Sequence, residues 1–231
     1  MEPKIIFEDE WLLVVDKPSG MVVNKCETQK GGGTLEDWLE ENKIGIGVER
    51  NGIVHRLDKE TSGLLVVAKD QAMMDQLQAA FKERRVQKEY LALVHGKVSP
   101  SEGEINAPIT RNPFNRKRFG VFVGGRESVT SYKTEKNWGN DYTLVRVWPK
   151  TGRTHQIRVH FKYLNYPLVA DEQYGGRKTA RKDRRWCPRL WLQAVGLSLT
   201  HPQTKQKMQW QTEIAADLKE SLECLNGAKN N

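Results

Sequence analysis

The chain has 231 residues, long enough to bury a substantial core, and only three cysteines, Cys26, Cys187 and Cys224, which excludes a disulfide-stapled miniprotein. Its apolar runs, residues 11–15 and 64–68 being typical, are far shorter than the ~20 residues of a membrane-spanning helix. Lys and Arg outnumber Asp and Glu by 37 to 29, with a pI near 9.3, an excess that suits a polyanionic partner, nucleic acid ahead of a membrane surface.

The opening MEPKIIFEDEW puts acidic residues where a secretory signal needs a basic end followed by an apolar stretch, so export is not expected and a cytoplasmic setting is. Residues 5–7 and 12–15 flank an acidic turn and read as a hairpin. The second run stops at DKPSG, where Pro18 and Gly20 enforce a bend. Glycines 31–33 lack the GK[ST] of a phosphate-cradling loop. Thr34, with Asp37 three residues on, forms an approximate capping box for a short helix through Trp38 and Leu39. Asp70 caps a second helix with Met74, Leu77 and Phe81 on one face.

Further strands are expected at 63–68, 90–94, 129–134, 142–148 and 191–199, several alternating apolar and polar. Thr154 is expected to start a third helix, with Ile157, Phe161 and Leu164 on one side and Pro167 beyond its end, and a terminal helix carries Ile214, Leu218 and Leu225. No internal repeat or low-complexity linker interrupts the chain. The expectation is one α+β domain over residues 1–231, a mixed and mainly antiparallel sheet with flanking helices and loops.

Two segments concentrate the basic residues: RNPFNRKR at 111–118 and RKTARKDRRWCPR at 177–189. Both contain turn formers and lack clear periodicity, so loops are expected. Arg116, Lys117 and Arg118 in one, and Arg181, Lys182, Arg184 and Arg185 in the other, suit phosphate contacts, although a solvated charged surface reads the same way.

The segment HRLDKETSGLLVVAKD, residues 55–70, is polar in its leading half and strand-like in its trailing half. Asp58 therefore stands on a loop fed directly into the core. That position suits a reactive carboxylate held by a rigid element, although composition alone favours a carboxylate that only caps a turn. His155 and His160 are five residues apart, not the four of HExxH, and no cysteine offers a third ligand nearby, so no metal is expected.

The string HRLD, then TSG, then an apolar strand resembles the catalytic motif of the RluA class of RNA pseudouridine synthases. DKPSGMVV at 16–23, KEYLALVHG at 88–96 and TGRTHQIRVHF at 151–161 resemble that family's first motif, tyrosine-bearing strand and arginine-bearing motif, in the same order. The resemblance implies a sheet with helices and loops around a central cleft, and an isomerase that flips a uridine out of rRNA or tRNA with no metal and no organic cofactor. It makes Asp58 the catalytic aspartate, Arg158 its partner, Tyr90 the ring against the target uracil, and Arg56 the residue entering the RNA where the nucleotide has left. RNA is the implied partner. No membrane and no obligate protein partner are expected. A noncatalytic RNA-binding module or RNA chaperone on the same scaffold is the alternative, and the presence of Asp58, Tyr90 and Arg158 argues against it.

The chain departs from the family at three places. Many relatives carry an amino-terminal S4 domain, which this chain, entering the catalytic region by residue 5, is expected to lack. Family members commonly read LHA where Leu192-Gln193-Ala194 stands here, and Gly-Asp where Ala170-Asp171 stands. Neither of these two is expected to touch the catalytic set.

Overall fold

The computed structural model describes residues 2–25 and 33–227, so Cys26 and glycines 31 and 32 lie outside the described residues. In chain order the elements are β1 (Lys4–Glu8), β2 (Leu12–Lys17), α1 (Leu35–Glu41), β3 (Ser62–Ala68), α2 (Gln71–Lys82) and β4 (Gln87–His95). Then come β5 (Glu102–Asn106), β6 (Ile109–Arg111), β7 (Phe119–Val121), β8 (Val129–Trp138), β9 (Tyr142–Pro149) and α3 (Gln156–Tyr163). The chain ends with α4 (Arg177–Asp183), β10 (Leu192–Thr200), β11 (Lys207–Gln211) and α5 (Ala216–Gly227). The fold is α+β with a mainly antiparallel sheet, as expected. The chain divides into two compact units, residues 1–88 with 194–213 and residues 89–193 with 214–231.

In the first unit β1 pairs with β2 and β2 with β3, both antiparallel, β10 lies beside β3, and β11 pairs antiparallel with β10. Every second residue of β2 and β3, namely Leu12, Val14, Leu64, Val66 and Ala68, points into one core with Met73, Met74, Leu77 and Ala80 of α2. Asp70 caps α2 by accepting from the Met73 N–H at 2.7 Å. The capping box on α1 is complete: the Thr34 hydroxyl oxygen accepts from Asp37 N, and the Asp37 carboxylate accepts from Thr34 N.

The second unit carries β4-β9-β8-β5 in that order, all antiparallel, with Tyr90 of β4 opposite Val147 and a bulge in β8 between Thr134 and Lys136. The β6–β7 hairpin stands apart as its own two-stranded sheet, packed through Ile109, Phe119 and Val121 against Val159 of α3 and Tyr174. α5 is held by Arg189, whose Nε and Nη2 donate to the Asp217 carboxylate at 2.5 and 3.0 Å, and by buried Leu218.

Two sequence expectations need correction. The third helix starts one position later than Thr154 implies: its N-cap is His155, in the left-handed region at φ 56°, with no side-chain cap. The turn before it is organised by Gln156 instead, whose Oε1 accepts from the Thr151 hydroxyl at 2.7 Å and from Arg153 N at 3.0 Å. The second basic segment is not simply a loop either, because residues 177–183 form α4. Its buried positions are Ala180 and Asp183, one small and one acidic, so the helical period leaves no apolar trace.

Candidate active site

Asp58 is half-buried on the loop between Ile53, which bridges to Val67 of β3, and β3 itself. That loop is pinned from the DKPSG bend. Lys17, fully buried at the end of β2, sends its ammonium to the carbonyls of Pro18 at 2.8 Å, Met21 at 2.9 Å and Lys59 at 3.4 Å. Ser19 donates its hydroxyl to the Glu60 carbonyl at 2.7 Å, and Gly20 donates its N–H to Lys59 at 2.8 Å from φ +87°. The two carbonyls after Asp58 are thus held by three donors from the first motif, and Thr61 N closes the turn onto the Asp58 carbonyl at 3.1 Å.

The residues around Asp58 alternate in direction. His55 and Leu57 turn inward, while Arg56 is exposed. His55 Nε2 accepts from Val66 N of β3 at 3.1 Å, which puts its own proton on Nδ1, and its ring lies 4.6 Å from that of Phe81. Burial, helped by the charge of Lys88, holds the imidazole pKa down to about 3, so His55 stays neutral in the folded protein. Gly63 of the TSG string has φ +118°, and a Cβ there would stand 2.2 Å from the Ala194 carbonyl oxygen. Only glycine lets β10 approach β3 this closely.

Tyr90 and Arg158 lie in the second unit. Tyr90 is buried near the start of β4. Arg158 is 4% exposed on α3, and its Nε and Nη2 donate to Asp171 Oδ2 at 2.7 Å and Oδ1 at 2.9 Å. Asp171 also accepts from Gln173 N and Tyr174 N, both at 3.0 Å, and the guanidinium carbon lies 5.1 Å from the Tyr174 ring centre. Asp171 therefore does touch the proposed catalytic set, contrary to the expectation drawn from the sequence. The preceding Ala170 takes φ 59° and gives its N–H to Asp183 at 2.8 Å.

The histidines of TGRTHQIRVHF are engaged with protein groups. His155 Nδ1 meets the Tyr174 hydroxyl at 2.8 Å. His160 Nε2 donates to the Ala107 carbonyl at 3.0 Å, so its Nδ1 is the acceptor for the Thr130 hydroxyl at 2.8 Å, and burial lowers its pKa. Among the described residues no group of three or more His, Cys, Asp or Glu is placed to hold a metal ion.

Both basic clusters are exposed and lie in the second unit. Arg116, Lys117 and Arg118 occupy the turn of the β6–β7 hairpin, while Arg181 and Lys182 are in the last turn of α4 with Arg184 and Arg185 just beyond it. Asp183 between them is buried and accepts from His95 Nε2 at 2.9 Å, which anchors the end of α4. Gln173, which the sequence did not single out, joins the hairpin to the arginine: its Nε2 donates to the Lys117 carbonyl at 2.8 Å while its Oε1 accepts from Arg158 Nη2 at 3.3 Å.

The sequence model of the RNA pseudouridylate synthase family matches residues 11–163, from the first unit well into the second. The ribosomal large subunit pseudouridine synthase D of Pseudomonas aeruginosa is 40% identical over 225 residues, covering 94% of this chain and 70% of that protein. The uncharacterized RNA pseudouridine synthase YlyB of Bacillus subtilis is 38% identical, covering 97% of this chain and 73% of its own. Among solved structures, human RNA pseudouridylate synthase domain containing 1 superposes with a TM-score of 0.73 at 26% identity, over 97% of this chain and 95% of that one. No helix among the described residues is long and apolar enough to cross a membrane. With the motif segments in family order and the match running through both units, this chain belongs to the RNA pseudouridylate synthase family.

Proposed function

We propose that this pseudouridine synthase acts on ribosomal RNA and that Asp58 is its catalytic carboxylate. The reaction breaks the N1–C1′ bond of a uridine, turns the base, and joins C5 to C1′, with one proton leaving C5 and one gained at N1. Product and substrate are isomers, so the chemistry requires neither oxidant nor co-substrate. The target base must leave its stack, since no side chain reaches the glycosidic bond of a stacked nucleotide well enough to turn the base.

The observation that carries the assignment is the pinning of the Asp58 loop: Lys17, Ser19 and Gly20 hold the carbonyls of Lys59 and Glu60, and Asp58 is a half-buried residue on that loop. A rigidly held backbone under the carboxylate is what covalent or base catalysis by an aspartate needs. Addition to uracil C6, addition to ribose C1′ and removal of the C2′ proton all start from the ionised form. In this reading Arg158 is the arginine of the catalytic set, Tyr90 lies against the uracil and assists loss of the C5 proton, and exposed Arg56 fills the place of the flipped nucleotide. The clusters at 116–118 and 181–185 grip phosphates.

The ribosomal substrate is supported by the names of the relatives, several of them ribosomal large subunit enzymes. A cytoplasmic setting belongs to the same reading. The family match across residues 11–163 supports treating both units as one catalytic domain. The test is to map pseudouridines in rRNA and tRNA from cells with and without the gene. Loss at discrete rRNA uridines is expected. Loss confined to tRNA would move the substrate, and an unchanged map in both pools would contradict the function.

A further inference from the structure

Phe114 is 92% exposed and Val123 103%, the two most exposed large apolar side chains among the described residues, and both belong to the β6–β7 hairpin region. A single exposed apolar residue needs no explanation on its own. Phe114 differs because of the loop that presents it. Asn112 Oδ1 accepts from Phe114 N at 2.8 Å and from Asn115 N at 3.1 Å, Asn112 N donates to the Arg118 carbonyl at 2.9 Å, and Arg118 N donates back to Asn115 at 2.8 Å. Arg111 Nη1 adds a bond to the Arg116 carbonyl at 2.9 Å. The loop is therefore ordered by its own hydrogen bonds, with Pro113 fixing the backbone before the ring.

The charged residues of this loop are all of one sign. Arg111, Arg116, Lys117 and Arg118 are all exposed within four residues of it, and the loop contains no carboxylate. A flat apolar face framed by cations matches a polyanion that carries flat apolar faces of its own, an RNA strand with unpaired bases. A paired helix offers no such face, because its bases are already stacked on each other. Gln173 ties the same loop to Arg158 through the Lys117 carbonyl, so a base held at the tip is registered against the arginine-bearing motif.

We propose that Phe114 is a stacking platform for an unpaired base of the RNA substrate, flanked by phosphates held by Arg116, Lys117 and Arg118. This rests on the reading that the chain acts on RNA. It adds to that reading a preference for unpaired nucleotides beside the target, set by an aromatic ring and not by charge.

Two RNA probes test it: a hairpin with a short unpaired loop carrying 2-aminopurine, and the same stem closed as an unbroken duplex. Phe114→Ala should weaken binding of the looped RNA by about five- to 150-fold, the range for losing one base–aromatic stack. It should also abolish quenching of 2-aminopurine, leave duplex affinity unchanged and leave the salt dependence of binding unchanged, since no charge is removed. Phe114→Trp should retain both affinity and quenching. Equal affinity of wild type and Phe114→Ala for the looped RNA, or equal weakening on both probes, would overturn the proposal. So would loss of binding to phosphatidylglycerol vesicles with RNA affinity intact, which would make the tip a membrane contact. Pseudouridine formation by the wild type in ribosomal RNA is scored in parallel. Its absence would defeat the catalytic reading, while a Phe114 difference between the two probes would still support the stacking role.

Discussion

Arg158 and Asp171 form a bidentate buried ion pair, Nε to Oδ2 at 2.7 Å and Nη2 to Oδ1 at 2.9 Å, with 5% and 0% of their side chains exposed. A planar guanidinium matched to both carboxylate oxygens is fixed in position and in plane, which a lysine ammonium would not be. In the proposed mechanism this divides two tasks between two aspartates. Asp171 positions the arginine, and Asp58 performs the chemistry.

Removing one partner of such a pair leaves the other charge buried. Asp171→Asn should therefore destabilise the protein by about 3 kcal/mol or more in urea denaturation. Arg158→Lys keeps a cation but loses the fork, so turnover should fall on the order of a hundredfold at saturating RNA while affinity is kept. An unchanged single-turnover rate in Arg158→Lys would remove Arg158 from the catalytic set.

Ala170 carries a left-handed backbone at φ 59°, a conformation that costs any residue with a Cβ. Ala170→Gly should stabilise the fold by about 0.5 to 1 kcal/mol, the relief of strain exceeding the added freedom of the unfolded chain. The shift in denaturation midpoint measures it, and a lower midpoint would contradict the strain.

Acid sensitivity follows from His55, whose folded pKa of about 3 lies below its ordinary 6.5. Below pH 6.5 the unfolded chain binds a proton there that the folded chain refuses. Stability from this group is thus complete above pH 6.5 and is lost as pH falls toward 3, at up to about 1.4 kcal/mol per pH unit. His160, also depressed by burial, acts in the same direction. Denaturation of wild type and His55→Gln between pH 7 and 4 should show a shallower pH slope in the variant, and identical slopes would show that His55 is not neutral in the fold.

The exposed clusters should report themselves through salt. Replacing Arg116, Lys117 and Arg118 by glutamine, or Arg181, Lys182, Arg184 and Arg185, should flatten the slope of log affinity against log salt by about 0.7 to 0.9 for each phosphate no longer neutralised. The rate on bound RNA should survive. Unaltered slopes in both variants would place the phosphate grip elsewhere.

Much of this architecture was legible because its signals are local. Thr34 with Asp37, and Asp70 ahead of Met74 and Leu77, state their helices within a few residues, and β2 and β3 are long apolar runs. What escaped was short or polar. β6 and β7 have three residues each, and β5 (EGEIN) and β11 (KMQWQ) carry little alternation. The α4 helix buries an acid and an alanine, which no apolar period reveals. At the site, the HRLD and HQIR strings mark Asp58 and Arg158, but their supports do not announce themselves. Lys17 reads as a surface lysine until its ammonium is seen among three carbonyls, and Asp171 stands 13 residues from the arginine it holds. Such partners are set by tertiary packing, to which residue order offers no direct key.

The most direct measurement is release of tritium from large-subunit ribosomal RNA transcribed with 5-tritiated uridine, comparing purified wild type with Asp58→Asn. The substitution nearly preserves shape and removes the anionic oxygen, so folding and RNA affinity should persist. Wild type should release the label as C5 loses its proton, and Asp58→Asn should release none above background. Release by Asp58→Asn at a rate near that of wild type would contradict the assignment of Asp58 as the catalytic carboxylate.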